Sequence, residues 1–297
     1  MLGFACICNT LEDSGRFKTV TVKTLTKLSN ADQTRKLKAT AVDNLYNSLQ
    51  ILKWCKDNNI FMYRFSSDLI PLATYAEGWH WWEDGDVQNM CSKIKAFVEE
   101  SKIRISLHPD QFCVLNSDKP QVVQNSMKHL EYLNRLSNMI GNKILILHTG
   151  STVGGKEKAM QRFIESFGLL STDIQSKLAL ENDDKSFGVS DVLQLCESLG
   201  IPMILDIHHF NCLNEGENLS DLRQRIISTW KGRRPKMHLS SGKTGFKDRH
   251  HADYINEEDY INAMKFAGED FDIMLECKQK ELALLKIREN EAHSHTS

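Results

Sequence analysis

Short apolar runs alternate along the chain with longer segments in which apolar residues recur at helical spacing. The clearest run, residues 202–205, is uniformly apolar, as in a parallel strand covered on both faces, and Asp206, His208 and His209 follow it closely. Similar runs predict eight strands, at residues 2–8, 61–67, 104–109, 143–148, 177–182, 202–209, 236–241 and 272–277. Helical spacing predicts helices at residues 34–58, 87–101, 121–140, 156–168, 191–198, 219–228, 257–267 and 278–288.

This alternation of eight strands and eight helices predicts an α/β fold, the TIM (β/α)8 barrel. Barrels of this kind reach about 250 residues as one domain, and no segment of the 297-residue chain has the composition of a linker. We therefore predict a single barrel domain at residues 1–288 and a polar tail at residues 289–297, which we expect to be disordered. The active site of such a barrel lies at the face where its strands end.

The composition is that of a globular protein, with 41% hydrophobic and 26% charged residues. The chain has no apolar run of about 18 residues that would span a membrane, and its N-terminus lacks the features of a signal peptide. We therefore expect an intracellular protein, in the cytoplasm or nucleoid, without a membrane partner or an obligate protein partner. The eight cysteines form no CxxC pair, and we expect them to be reduced and buried.

The net charge is only −2, but basic residues are concentrated in two segments. Residues 16–38 contain seven Lys and Arg residues against a single Asp, and residues 231–236 are Lys-Gly-Arg-Arg-Pro-Lys. Such segments suit contact with a phosphate backbone, although a solvated loop has the same composition. Their position relative to the polar strand ends distinguishes the two interpretations.

Imidazoles and carboxylates are concentrated at or just beyond the predicted strand ends. Each one alone could be an ordinary hydrogen-bonded polar residue, but together they are the ligands that Zn²⁺, Mn²⁺ and similar ions accept. So many ligands predict two or three ions with shared carboxylates, an arrangement suited to phosphodiester hydrolysis. The set consists of His108, His148, Glu181, Asp206, His209, His238, His251 and Glu276.

Lys236 is the unusual polar residue of the predicted seventh strand. Strand alternation points it into the barrel on the same side as His238. Divalent cations would repel a free ammonium group there, so Lys236 must be neutralised or modified, unless it faces a basic surface loop instead.

Several motifs at these positions together resemble those of the UV damage endonuclease family, and the resemblance covers residues 2–280. The motifs are RFSSD at 64–68, SLHPDQF at 106–112, LENDD at 180–184, LDIHH at 205–209, KMHLSS at 236–241, HHADYI at 250–255 and MLECK at 274–278. The resemblance implies a TIM-barrel DNA repair enzyme that nicks damaged duplex DNA 5′ to pyrimidine dimers and other distorting lesions.

The resemblance also implies a metal centre of up to three divalent ions, most often Mn²⁺, with Zn²⁺ or Mg²⁺ as alternatives. It assigns all eight residues of the set above to metal binding. It pairs Asp206 with His209, where strand alternation would have chosen His208. It further implies that Lys236 is carboxylated and becomes an anionic ligand, and we predict that Lys236, His238 and Glu276 act in catalysis.

For the substrate, the resemblance implies that Gln111 and Phe112 form the pair of residues that inserts at the lesion. Phe112 stands where tyrosine is usual, which keeps a stacking surface but removes a hydroxyl group. Gly3 and Phe4 stand where the family has Gly-Tyr, and we predict a substrate contact by Phe4.

Two further segments have open roles. At residues 73–75 the chain has Ala-Thr-Tyr where the family typically has a histidine, so one ion is expected to be bound differently or less tightly, and the role of Tyr75 is open. The aromatic segment at residues 79–82 either grips unstacked bases or forms a plain hydrophobic cluster.

Alternatives on the same barrel are an abasic-site endonuclease and a metal-dependent sugar isomerase. An isomerase has no need of a basic first segment, so salt-sensitive binding of duplex DNA would distinguish it. A non-catalytic module that recognises damage would require the polar strand ends to be purely structural.

Overall fold

Eight parallel strands close into a barrel in the computed structural model, which describes residues 1–75, 79–214 and 216–294. Each strand pairs with the next along the chain, and β8 pairs with β1. The strands are β1 (Leu2–Ala5), β2 (Met62–Phe65), β3 (Arg104–Leu107), β4 (Leu145–His148), β5 (Leu178–Glu181), β6 (Met203–Asp206), β7 (Lys236–Leu239) and β8 (Asp272–Leu275). The predicted single-domain TIM barrel is confirmed.

Helices surround this barrel, and none of those in the described ranges is long and apolar enough to cross a membrane. They are α1 (Val22–Leu25), α2 (Asn30–Asp57), α3 (Gly85–Ser101), α4 (Pro120–Ile140), α5 (Lys156–Gly168), α6 (Thr172–Lys177), α7 (Val189–Leu199), α8 (Ile207–Cys212), α9 (Leu219–Thr229), α10 (Glu257–Ala267) and α11 (Glu281–Ser294). Helices α1, α6 and α8 were not predicted, because four to six residues are too few to establish a helical period.

The boundaries depart from prediction at two places that matter. The sixth strand was predicted to end at residue 209, but β6 ends at Asp206, and residues 207–212 form α8. The last helix continues to Ser294, so residues 289–294 are not the disordered tail we expected. Tyr260 donates a hydrogen bond of 2.7 Å to Glu291, which ties this extension to α10. Residues 295–297 lie outside the described ranges.

Strand alternation divides the side chains between two environments. On β2, Tyr63 and Phe65 point outward into the layer between barrel and helices, and Met62 points into the barrel beside Ala5 and Met274. The chemistry of the inward positions changes along the barrel axis. Near the start of the strands they are mostly apolar, and near the strand ends they are imidazoles and carboxylates.

Trp230 closes the end of the barrel opposite the polar strand ends. Its indole is fully buried, and its Nε1 donates a hydrogen bond of 2.8 Å to the carbonyl of Met203. It packs in a separate apolar cluster with Ile144, Ile146, Ala179 and Ile204. Apolar side chains therefore fill this end of the barrel.

Candidate metal centre

Glu181, the last residue of β5, lies at the middle of the polar face and is only 1% exposed. Its Oε2 lies 2.9 Å from His108 Nε2 and 3.8 Å from His148 Nε2. Its Oε1 lies 2.7 Å from His238 Nδ1. One carboxylate thus contacts imidazoles from three other strand ends.

A second carboxylate approaches the same imidazole from just beyond β8. Glu276 Oε1 lies 3.0 Å from His238 Nδ1, and Arg64 on β2 donates a hydrogen bond to the same oxygen. Two groups are compact enough for an ion, since their ligand atoms all lie within 4.8 Å of one another. They are His108, His148 and Glu181, and Glu181, Asp206, His238 and Glu276. Glu181 belongs to both groups, as a carboxylate shared between ions would.

The strand register explains why these residues meet. His148 on β4 is paired with Glu181 on β5, and Asp206 on β6 is paired with His238 on β7. Neighbouring side chains on one face of a sheet lie about 5 Å apart, and the barrel's curvature brings these pairs toward each other.

His209 reaches the centre because the chain turns into α8 directly after Asp206. Asp206 caps that helix, and its Oδ1 accepts a hydrogen bond of 2.8 Å from the His209 backbone N–H. His209 Nδ1 lies 2.9 Å from the carbonyl of Asn182, a contact that leaves Nε2 as the ligand atom. His208 instead points toward Cys212. Asp206 therefore contacts His209, the residue with which the family resemblance pairs it.

His251 lies at the edge of the centre, outside the two compact groups. It follows β7 on a loop that is held by an antiparallel bridge to Gly242. Its ring centroid lies 5.3 Å from that of His208 and 6.3 Å from that of His209.

Opposite charges keep the carboxyl groups of Glu181 and Glu276 ionised. Burial works against charge on Glu181, but His238 and His148 hold the pKa of its carboxyl well below the usual range. Arg64 and His238 do the same for the pKa of Glu276, again against the effect of burial. Burial prevails at Asp206 and raises its pKa.

The imidazoles respond in two directions. Burial lowers the pKa of His148 to about 4. Burial also disfavours charge on His209 and His238, but the carboxylates of Glu181 and Glu276, joined by Asp206 at His209, raise both pKa values to about 9. The protons on these two rings supply positive charge beside the carboxylates, as a bound metal cation would.

Unpaired buried atoms are the observation that fits a metal cluster. Buried polar atoms normally have hydrogen-bond partners, yet four ligand atoms here have none among the described residues. They are His148 Nδ1, Asp206 Oδ2, His238 Nε2 and His251 Nδ1. Mixed imidazole and carboxylate donors suit Zn²⁺, Mn²⁺ and related ions, so the residues present fit the predicted group.

Lys236 lies inside the barrel, fully buried, as strand alternation predicted. Its Nζ donates a hydrogen bond of 2.9 Å to Ser106 Oγ. Burial, with added repulsion from Arg104 and Arg64, places the pKa of this amine well below its usual value. The alternative in which Lys236 faces a surface loop is therefore wrong.

The predicted substrate residues divide into two kinds. Gln111 and Phe112 lie on the loop after β3, and Phe112 is 76% exposed, so both can reach a macromolecule. Phe4 is fully buried and packs edge to face on Trp54 and Tyr63. The predicted substrate contact by Phe4 is wrong, because strand alternation points this ring away from the barrel and into the helix layer.

The two basic segments lie on opposite faces of the barrel. Residues 16–38 follow the end of β1, so they lie on the metal face, and Lys23, Lys27 and Lys36 are exposed there. Residues 231–235 precede β7, so they lie on the far face, where Arg234 binds Asp272 and Lys231 binds the carbonyl of Gly200. Lys236 begins β7 and is buried inside the barrel. The interpretation of this second segment as a phosphate clamp is wrong.

The aromatic segment is mainly a hydrophobic cluster over the described residues 79–82. Trp79 and Trp81 are buried, and Trp82 is covered by the Arg135 guanidinium at 4.1 Å and by His80. Base gripping by these rings finds no support.

Three polar residues near the centre belong to the family motifs, but the sequence did not indicate what they do. Arg64 neutralises Glu276, and Ser106 is the partner of Lys236. Asn182 exchanges two hydrogen bonds with the backbone of Asp206 and thereby fixes the end of β6. Strand alternation points Arg64 and Ser106 into the barrel, so the sequence could have indicated that both lie near the centre. The hydrogen bonds of Asn182 depend on a neighbouring strand and could not have been predicted in this way.

The chain is similar to known proteins over nearly its whole length. A family model described as UV-endonuclease UvdE matches residues 1–295. A UV DNA damage endonuclease of Bacillus thuringiensis subsp. konkukian (strain 97-27) is 35% identical over 292 residues, which cover 96% of this chain and 92% of the relative. A protein of the same name from Bacillus mycoides (strain KBAB4) is 34% identical over 296 residues, with the same shares of the two chains covered.

Solved structures agree with these matches. The crystal structure of SacUVDE has a TM-score of 0.86 and 35% identity, covering 96% of this chain and 95% of that chain. Endonuclease IV from Thermus thermophilus has a TM-score of 0.59 at 13% identity, covers 84% of this chain and 94% of that chain, and shares the fold alone. With a family model matched over nearly its whole length, and relatives of the same family about a third identical, the chain belongs to the UV-endonuclease UvdE family.

Proposed function

We propose that this protein is a metal-dependent DNA repair endonuclease that nicks damaged duplex DNA 5′ to UV photoproducts such as pyrimidine dimers. The observation that carries the proposal is the buried cluster of imidazoles and carboxylates around Glu181, with its unpaired ligand atoms. Family membership supplies the substrate class. A sugar isomerase would have no use for the exposed ring of Phe112 or the basic segment on the same face.

In this proposal the centre would hold two or three divalent ions, Mn²⁺ first with Zn²⁺ or Mg²⁺ as alternatives, which would supply a water of lowered pKa and positive charge for the leaving oxygen. The ligands are the eight residues predicted from the sequence: His108, His148, Glu181, Asp206, His209, His238, His251 and Glu276. The protein orients two of the histidine rings for this role. The carbonyls of Pro109 and Asn182 accept from Nδ1 of His108 and His209, which turns Nε2 of each ring inward.

Lys236 is proposed to be carboxylated. Its lowered pKa leaves a neutral amine, the form whose lone pair can attack the carbon of CO2. The new N–C bond forms as one C=O π bond breaks and a proton is released, and the product is an anionic carbamate. The positive charges of Arg64 and Arg104 that depress the pKa of the amine would stabilise this anion. Lys236, His238 and Glu276 form the proposed catalytic set.

On the DNA side, Gln111 and Phe112 are proposed to enter the base stack at the lesion. A distorted lesion is already partly unstacked, so insertion costs less there than in regular duplex. The exposed lysines of residues 16–38 would hold the backbone. Acting on chromosomal DNA, the enzyme would work inside the cell, in the cytoplasm or nucleoid.

The test uses purified protein, Mn²⁺ and a duplex with one defined cyclobutane dimer, beside undamaged and abasic-site duplexes. We expect a nick immediately 5′ to the dimer, abolished by EDTA and restored by added Mn²⁺. Cutting confined to the abasic duplex would replace the proposal with an abasic-site endonuclease. Absence of cutting in every duplex would overturn it.

A further inference from the structure

The second basic segment of the sequence borders a cavity on the far face of the barrel, which the proposed function does not use. The volume of this cavity is about 390 Å³, and pockets that hold small ligands have about 300–1,000 Å³. Residues 231–235 form one side, and residues 102–104 and 141–143, which lead into β3 and β4, form the others with the end of α3. A cavity of this size admits one large side chain but not a folded element.

The floor of the cavity is apolar. Its lining side chains of this kind are Val98, Ile103, Ile105, Ile144 and Trp230. None of the residues that line the cavity in the described ranges is acidic. An apolar group that entered the cavity would remove this floor from water, which is favourable.

The rim of the cavity carries an excess of positive charge. Its three segments, residues 102–104, 141–143 and 231–235, contain six Lys and Arg residues and no acidic residue. The buried carboxylate of Asp272 already binds three cations, those of Arg104, Arg234 and the Met1 amino group. The C-terminal ends of α3, α4 and α9 also lie on this face, but each contributes only about half a negative charge. These groups together offset less than half of the positive charge of the rim.

Lys143 and Arg233 are the rim cations best placed for an outside partner. Both are exposed, and neither pairs with a carboxylate in the part of the chain that the structure describes. The Arg233 guanidinium lies 5.7 Å from the ring centroid of Trp230, and its Nε donates a hydrogen bond of 3.4 Å to the carbonyl of the same residue. The charge of Arg233 is therefore held at the edge of the apolar floor.

We propose that this cavity is a docking site for an acidic peptide segment of a partner protein. One large apolar side chain of the peptide fills the cavity, and carboxylates beside it bind Lys143 and Arg233, as clusters of Arg and Lys bind acidic motifs elsewhere. A nucleic acid fits less well. Its backbone has no apolar group for the floor, and Trp230 is fully buried, so no ring face is open for a base to stack on.

This docking site lies at the opposite end of the barrel from the candidate metal ligands. The protein can therefore hold the partner while the metal face is occupied by DNA. The inference does not depend on the proposed function, because it uses only the charges and the shape of the far face.

The test is binding of a short fluorescein-labelled peptide, in which one phenylalanine is flanked by aspartates, to the whole protein, measured by fluorescence anisotropy. We expect a Kd of about 10–100 μM. Lys143→Glu and Arg233→Glu should each raise this Kd about 10-fold, since each replaces an attraction with a repulsion. Lys158→Glu makes the same change of charge at an exposed position near the start of α5, on the metal face, and should bind as the wild type does.

Two altered peptides separate the apolar and the charged contributions. Replacing the phenylalanine with alanine, or the aspartates with asparagines, should weaken binding at least about 10-fold. Circular dichroism of the variants checks that these exposed substitutions leave the fold intact.

Absence of binding, equal binding of the three peptides, or equal weakening in all three variants overturns the inference, because attraction by net charge alone would explain the last two results. Displacement of the peptide by an undamaged duplex that binds the wild type but not Arg233→Glu would also overturn it. The rim would then serve a nucleic acid.

Discussion

At the scale of single residues, Glu181 decides the chemistry of the centre. It is a buried carboxylate whose two oxygens contact imidazoles from β7 and from the ends of β3 and β4. The metal ions proposed above would explain this arrangement, because one carboxylate could then be shared between them.

Glu181→Gln keeps the shape of the side chain and removes its charge. Loss of a hydrogen-bond partner of a metal ligand typically costs 10- to 100-fold in metal affinity or activity, so loss of a shared ligand should cost at least about 100-fold in nicking rate. Bound metal, measured by mass spectrometry of the digested protein, should fall in parallel. Glu197→Gln, which removes a surface carboxylate paired with Arg225, is the matched control. Full activity in Glu181→Gln would rule out its role as a bridging ligand.

Metal binding should release protons. In the metal-free protein His209 and His238 have pKa values of about 9, above the ordinary value of 6.5, so both rings are protonated at neutral pH. A metal ligand must be neutral, and apparent metal affinity should therefore rise as the pH is raised toward 9. Calorimetric titration of Mn²⁺ in buffers of different ionisation enthalpy measures the released protons. His80→Ala, a surface imidazole, should not alter the result, and a pH-independent affinity would contradict the assignment.

At the scale of elements, α4 is the support for two loops of the metal face. The side chain of Tyr132 is only 6% exposed. Its hydroxyl accepts a hydrogen bond of 3.3 Å from the Ile70 N–H and donates one to the carbonyl of Ser67. One hydroxyl therefore fixes the loop after β2, while Ser126 fixes the loop after β3. The position of Phe112 relative to Tyr75 follows from these bonds.

Tyr132→Phe should destabilise the protein by about 1–3 kcal/mol, because two backbone groups lose a partner in a buried place. Urea denaturation followed by circular dichroism gives the free energy of unfolding. Tyr46→Phe on exposed surface should change it by less than about 0.5 kcal/mol. An unchanged stability in Tyr132→Phe would mean that water replaces the hydroxyl and that the loops are not fixed through it.

At the scale of the whole molecule, the barrel separates stability from chemistry at its two ends. The far end is filled by Trp230 and closed by Asp272, a fully buried carboxylate. Asp272 binds Arg104, Arg234 at 2.7 Å and the amino group of Met1 at 2.9 Å, and so links β8 to β1, β3 and the start of β7. Loss of this residue should affect folding without touching the metal face.

Asp272→Asn should cost about 1–3 kcal/mol at neutral pH, because it removes a buried carboxylate that pairs with three partly exposed cations. Burial alone would raise the pKa of Asp272, but the amino group and the two guanidiniums lower it below the unfolded value. A depressed pKa stabilises the fold above about pH 4 and loses that contribution as the pH falls through the folded-state pKa. The difference between wild type and variant should therefore shrink in acid.

Urea denaturation at several pH values measures this difference, and Asp270→Asn, which removes an exposed partner of Arg223, is the control. Nicking per folded molecule should be unchanged in Asp270→Asn. A difference that grew in acid would contradict the assigned direction of the pKa shift.

The sequence by itself determined the barrel and the face that carries the imidazoles and carboxylates. Strand parity and helical spacing are local properties of the sequence. They were sufficient here because all strands of the barrel are parallel, so their ends lie on one face. Strand alternation within β1 would also have placed Phe4 in the helix layer. The direction of β7 would have placed the second basic segment, which precedes this strand, on the far face.

Only the tertiary structure decided the contacts between distant segments. The register that sets His148 beside Glu181 depends on barrel closure. The choice of His209 over His208 depends on the turn into α8, which Asp206 and Asn182 fix together. The cavity between Tyr75, Phe112 and His129 exists because two loops rest on one face of α4. Each of these depends on hydrogen bonds between residues far apart in the chain, for which no local pattern of apolar and polar residues carries information.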